Sequence, residues 1–262
     1  MGLPPEFLEL AASVRNWGRW GTDDEIGTIN LVTPEVRRRA AASVRTGHAF
    51  SLALPLSEAE GIQTGLLPGR INPVRTMAQI NEPILGDREQ VCTSDDLVVM
   101  GLQCATHWDG LAHVSYGGHI YNGYPADTVT AAGASRCGIH RVRTLVSRGV
   151  LLDVARARGV ERLDGGYAVT GDDLDAAEEL ARVQVQPGDV VLVRTGQMSV
   201  LHERGGRSRY PAPTPGLSMR SVPWLRAHDV AAVATDTLTF EVYPMERDDV
   251  FLPVHLLHLV EM

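Results

Sequence analysis

The stretch Gly188-Asp189-Val190-Val191-Leu192-Val193-Arg194-Thr195-Gly196 reads as a strand entered through a turn. An unbroken apolar run of this length, bounded by glycines, suits a strand rather than a helix. Upstream, Thr170-Gly171-Asp172-Asp173-Leu174 opens a helix that continues to about Val183, and before it Gly149-Val150-Leu151-Leu152-Asp153-Val154 is another buried strand. Downstream, Gly205 to Gly216 is a Pro/Gly/Arg loop and Val222 to His228 looks helical. Val230-Ala231-Ala232-Val233-Ala234-Thr235-Asp236 is then a strand that ends on a carboxylate. Strands that interleave with helices place the chain in the α/β or mixed α+β class. No GxGxxG follows any of these strands, so a dinucleotide site is not indicated.

Farther out, Leu31-Val32-Thr33-Pro34-Glu35 is a helix start, with Thr33 as N-cap and Pro34 in the first turn. That helix is expected to run to about Thr46 and stop at Gly47. Phe50 to Leu54 alternates and is expected to be a strand. Ser57 to Gln90 is rich in Gly, Pro and Asn and is expected to be a long irregular region; such loops often cover active sites. Leu97-Val98-Val99-Met100-Gly101-Leu102 is an apolar run of strand length. Val254 to Met262 is helical again, and its apolar pattern is still in progress at Met262. Either this helix ends with the chain or the natural protein is longer.

With 262 residues the chain is read as a single domain, 1–262, with ample core. All 24 basic residues are Arg, against 32 acidic residues, and the net charge is -8. A basic face for a nucleic-acid backbone is therefore not expected, and Arg37-Arg38-Arg39 reads as a solvated helix face. No stretch of 18 apolar residues spans a membrane. The N-terminus lacks the basic start and apolar run of a signal peptide, so the expected location is the cytoplasm. Cys92, Cys104 and Cys137 have no metal-type or disulfide-type spacing and read as buried free thiols.

The chemistry concentrates in Thr106-His107-Trp108-Asp109-Gly110-Leu111-Ala112-His113. Residues two apart on an extended segment point to the same side, so His107 and Asp109 can converge. Gly110 allows a sharp turn that swings His113 back towards the same point. Imidazole and carboxylate together suit divalent Zn, Mn or Fe. Trp108 and Tyr116 offer aromatic walls for a small, flat organic substrate, although a Trp108 turned into the core is an equal alternative. An Arg such as Arg70 or Arg75 could hold a product carboxylate, and Asp236 and Glu241 could be groups that support metal ligands. His48, His119, His140, His202, His228 and His258 need no special role.

The segment from Gln103 to His113, Gln-Cys-Ala-Thr-His-Trp-Asp-Gly-Leu-Ala-His, resembles the HxGTHxDxxxH signature of the cyclase family. That family comprises metal-dependent hydrolases such as kynurenine formamidase and isatin hydrolase. The second His, the Asp and the last His match, and Gln103 stands where the first His would be. The blocks Trp20 to Leu31, Gly149 to Val154, Gly188 to Gly196, and Asp236 with Glu241-Val242-Tyr243-Pro244 also resemble the family's longer members. The resemblance implies a swivelling β/β/α fold, mixed sheets flanked by helices. It implies His107, Asp109 and His255 as metal ligands, with Gln103 at a further ligand position and His113 as the acid/base. A family Glu about three helical turns after His255 would fall beyond Met262. With Gln103, that departure argues for one metal, Mn or Zn, rather than two.

The expected activity is opening of an amide, lactam or lactone bond of a small, cyclic or aromatic substrate by metal-activated water, in a homodimer or larger homo-oligomer. Two alternatives stay open. One is a ring-forming cyclase or dehydratase using the same site. The other is a degenerate metal-binding or small-molecule-binding protein.

Overall fold

The computed structural model describes residues 2–57 and 61–262. Its contacts group into two compact units, Met1–His48 with Asp109–Met262, and Ala49–Trp108.

The larger unit opens with α1 (Pro5–Val14), which buries Phe7, Ala11 and Val14 on one face. In α2 (Pro34–Ala42) the Thr33 side chain accepts from the Val36 amide, as an N-cap should. The helix ends at Ala42, earlier than Thr46. The smaller unit carries an antiparallel pair, β1 (Val74–Pro83) and β2 (Cys92–Val99), in register Val74 to Val99 and Thr76 to Leu97. This hairpin occupies much of the stretch expected to be irregular; residues 58–60 of that stretch lie outside the described residues. Phe50 to Leu54 forms no strand. The apolar run from Leu97 enters β2 but is not buried there, since Leu97, Val98 and Val99 are all exposed.

In the larger unit, β3 (Val129–Thr130) and β4 (Gly133–Ala134) form a short hairpin. The central sheet follows. β5 (Gly149–Asp153) leads through α3 (Val154–Ala157), β6 (Ala168–Val169) and α4 (Gly171–Ala181) into β7 (Val190–Arg194). The chain continues through α5 (Gly206–Arg209), β8 (Gly216–Leu217) and α6 (Val222–Ala227) to β9 (Ala232–Thr235). The sheet order is β5-β7-β9, all parallel, with β7 in the middle. Its entry turn needs Gly188, at φ 84°, where a Cβ would stand 2.7 Å from the Leu31 carbonyl oxygen. β5 lies at the edge, so only its Val150/Leu152 face is buried and Leu151 is exposed.

The main core joins Val150, Leu152, Val191 and Val193 to Phe7, Leu174, Leu225 and Leu257. The chain finishes in α7 (Pro253–His255), continued by a π-helix over Leu256–Glu261. The architecture is mixed α/β. Among the described residues no helix is long and apolar enough to cross a membrane.

Candidate functional site

The site in the larger unit begins at a turn. The His113 amide donates to the Gly110 carbonyl at 2.9 Å, folding the backbone after Asp109. A side chain at Gly110 would crowd this turn, because a Cβ would stand 3.0 Å from the Ile139 backbone nitrogen. The turn brings His113 Nε2 to 3.9 Å from Asp109 Oδ1. From the far end of the sequence, His255 Nε2 reaches 3.8 Å from Asp109 Oδ2. One carboxylate thus lies between two imidazoles.

His255 is held from behind by Glu241, which is buried. The Glu241 carboxylate accepts the Val254 amide at 3.0 Å and the His255 amide at 3.1 Å, and it is hydrogen-bonded to His255 Nδ1. With Nδ1 engaged by a carboxylate, Nε2 is left with its lone pair facing Asp109. Phe240 sets its ring edgewise to both His255 and His258, at centroid distances of 5.8 and 5.4 Å. His258 Nε2 is buried with no hydrogen-bond partner among the described residues. Burial, then the neighbouring His255, hold the His258 imidazole far below its ordinary range, to about 3.

A second carboxylate, Glu261, anchors the end of the chain. It is fully buried, takes Arg15 Nε at 2.5 Å and Arg15 Nη2 at 3.1 Å, and accepts the Tyr116 hydroxyl. Tyr116 therefore spends its hydroxyl on Glu261 and its ring on Phe7, in an edge contact with centroids 5.9 Å apart. Burial and the Glu261 carboxylate push the Tyr116 phenol up, so it stays protonated. The Trp20 to Leu31 block is organised by Asp24, which accepts from the Gly27 amide, Asn30 Nδ2 and the Tyr121 hydroxyl. Asp236 accepts from the Thr195 amide and hydroxyl and the Gly196 amide, tying two strand ends together.

The remaining expected site residues belong to the smaller unit. His107 Nδ1 pairs with the Ala105 carbonyl oxygen at 2.6 Å. The Gln103 carbonyl accepts from Gln63 Nε2 at 3.0 Å. Trp108 is about half exposed. Arg75 sits 3.3 Å from Asp96, both on the surface. Sequence reading named Asp109, His113 and His255 and touched on Glu241. It missed Arg15 and Glu261, which pair across 246 residues, and Asp24, whose Tyr121 partner lies 97 residues away.

Among the described residues no group of three or more His, Cys, Asp or Glu side chains is gathered tightly enough to hold a metal as it stands. The donor types fit one nonetheless. Donors at about 2.1 Å from a tetrahedral divalent cation stand roughly 3.4 Å apart, and the Asp109–His255 separation of 3.8 Å is only slightly wider than this.

The Cyclase family model matches residues 33–242. A solved structure described as a novel cyclase is 34% identical, with a TM-score of 0.82, covering 93% of this chain and 82% of that one. Isatin hydrolase A from Labrenzia aggregata, solved with benzyl benzoate bound, is similar at 16% identity and a TM-score of 0.59, over 85% of this chain and 81% of that one. Isatin hydrolase A from Ralstonia solanacearum is similar at 20% identity and a TM-score of 0.57, over 87% and 81%. At these identities the two hydrolases speak for the fold alone. No curated protein matches the chain significantly.

Proposed function

The chain belongs to the cyclase family, and on that premise we propose that it is a metal-dependent hydrolase opening an amide, lactam or lactone bond of a small cyclic or aromatic substrate. The observation that carries the reading is the Asp109 carboxylate between His113 and His255, with His255 locked by buried Glu241. A carboxylate behind a histidine fixes the tautomer and raises the ring's basicity, the usual support of a ligating imidazole.

Asp109 and His255 would hold a divalent cation, Mn or Zn, and the sequence resemblance alone adds His107 and the Gln103 amide oxygen as further ligands. When bound, such a cation acidifies water and polarises a carbonyl. His113 Nε2 takes the proton released as water adds to the substrate carbonyl carbon. It then delivers that proton to the leaving nitrogen or oxygen as the C–N or C–O bond breaks, giving a carboxylate and an amine or alcohol. Imidazole suits both steps because its ordinary pKa lies near neutrality. Trp108 would line the substrate.

The test is a screen of formanilides, lactams and lactones with metal-replete protein, read by product mass. Ring opening that adds one water to a lactam or lactone, or release of aniline and formate from a formanilide, absent with His113→Ala, supports hydrolysis. A product lighter by one water makes the protein a ring-forming dehydratase. Binding without turnover across the screen makes it a binding protein, a reading favoured by the absence of a closed ligand shell among the described residues.

A further inference from the structure

A cleft of about 400 Å³ lies between the residues that lead into α2 and the segment 141–144. Its wall carries three guanidinium groups, from Arg37, Arg141 and Arg143, and no carboxylate. That is a strong local departure in a chain with 32 acidic and 24 basic residues. Arg141 is fixed, with Nε 3.1 Å from Glu25 and Nη2 donating to the Ser135 carbonyl at 3.4 Å. Glu25 itself is shared with Arg136 and the Cys137 amide. Arg38 and Arg39, on the same helix as Arg37, are paired with Glu35 and Asp189. The Arg37 and Arg143 side chains have neither a hydrogen bond nor an ion pair among the described residues. Much of the remaining wall is apolar, including Ile29, Val32 and Val142.

We propose that this cleft binds a small organic anion, with its carboxylate or phosphate group on Arg37 and Arg143 and its apolar body against the isoleucine and valine wall. Guanidinium forks hold such oxyanions through paired hydrogen bonds. The first turn of α2 adds partial positive charge beside them. In a protein of net charge -8, a cationic cleft is also where an organic anion is least repelled. The cleft adjoins the candidate site through the backbone. Ile139, two residues before Arg141, packs against Gly110, which follows Asp109. An anion seated there would bear on the segment that buttresses the Asp109–His113 turn. The site does not depend on which reaction the chain performs.

The test is calorimetric titration of the full chain with phenyl phosphate, benzoate and inorganic phosphate, beside the Arg37→Ala/Arg143→Ala double variant. Both arginines are exposed, so the variant should fold, and its melting curve checks this. The expected result is saturable binding of phenyl phosphate or benzoate that weakens at least about tenfold in the double variant, with inorganic phosphate weaker still in the parent. Equal affinity in parent and variant, or no saturable binding, overturns the proposal. Inorganic phosphate binding as tightly as the aromatic anions overturns the assignment of an organic ligand.

Discussion

Glu241 and His258 show how single residues set the chemistry at the end of this chain. Glu241 spends its buried carboxylate on two amides and on His255 Nδ1. The Glu241→Gln variant keeps the shape but loses the charge that polarises His255. Metal affinity should fall roughly 10–100-fold while the fold persists; competition with a metal chelator measures this, and unchanged affinity would remove Glu241 from the account. His258 predicts a pH effect. Its imidazole sits at about 3 when folded, against an ordinary 6.5. Between those values the unfolded chain binds the extra proton, so this contribution to stability is complete above about pH 6.5 and is lost as pH falls towards 3. Urea melts at pH 7 and pH 5 should show a loss in the parent that His258→Phe reduces; equal slopes would contradict it. Sequence spacing could place Asp109 and His113 together because they are four residues apart. It could not foresee that Glu261 would pair with Arg15, 246 residues away.

Elements explain what the sequence made legible and what it hid. The start of α4 was readable because its signal is local: Thr170 and Asp173 stand three apart, and the Asp173 carboxylate accepts the Thr170 amide at 2.8 Å and its hydroxyl at 2.9 Å. The same buried carboxylate takes the Tyr167 hydroxyl and Arg158. Asp173→Ala should therefore cost more than an ordinary cap, about 2–4 kcal/mol; a denaturant midpoint close to the parent's would refute this. β7 was readable because it is central and apolar from Val190 to Val193. β1 and β2 were not, because Arg75, Gln79, Asp95 and Asp96 interrupt any period and register shifts near Gln79 break the alternation. The last helix was legible as helical, but its π-turns leave no mark on apolar spacing.

For the whole molecule, the family and the mixed α/β class followed from the order of blocks, while the smaller unit's surface did not. Leu97 and Val99 share one face of β2, Val99 is the cross-strand partner of Val74, and all three are 40% exposed or more. Soluble monomers seldom leave such a patch open, so self-association through this hairpin is expected. Sedimentation should find an oligomer that Leu97→Glu/Val99→Glu shifts towards monomer; an oligomer unmoved by those changes would place the interface elsewhere. The proposed hydrolysis requires that Asp109 and His255 hold a divalent metal. The direct measurement is metal content by mass spectrometry of protein purified without chelator and then supplied with Mn or Zn, beside His255→Ala. About one equivalent in the parent, as expected of a single site built from these donors, and lost in the variant, is the predicted result. A parent that takes up no metal, or a variant that keeps it, would contradict the account.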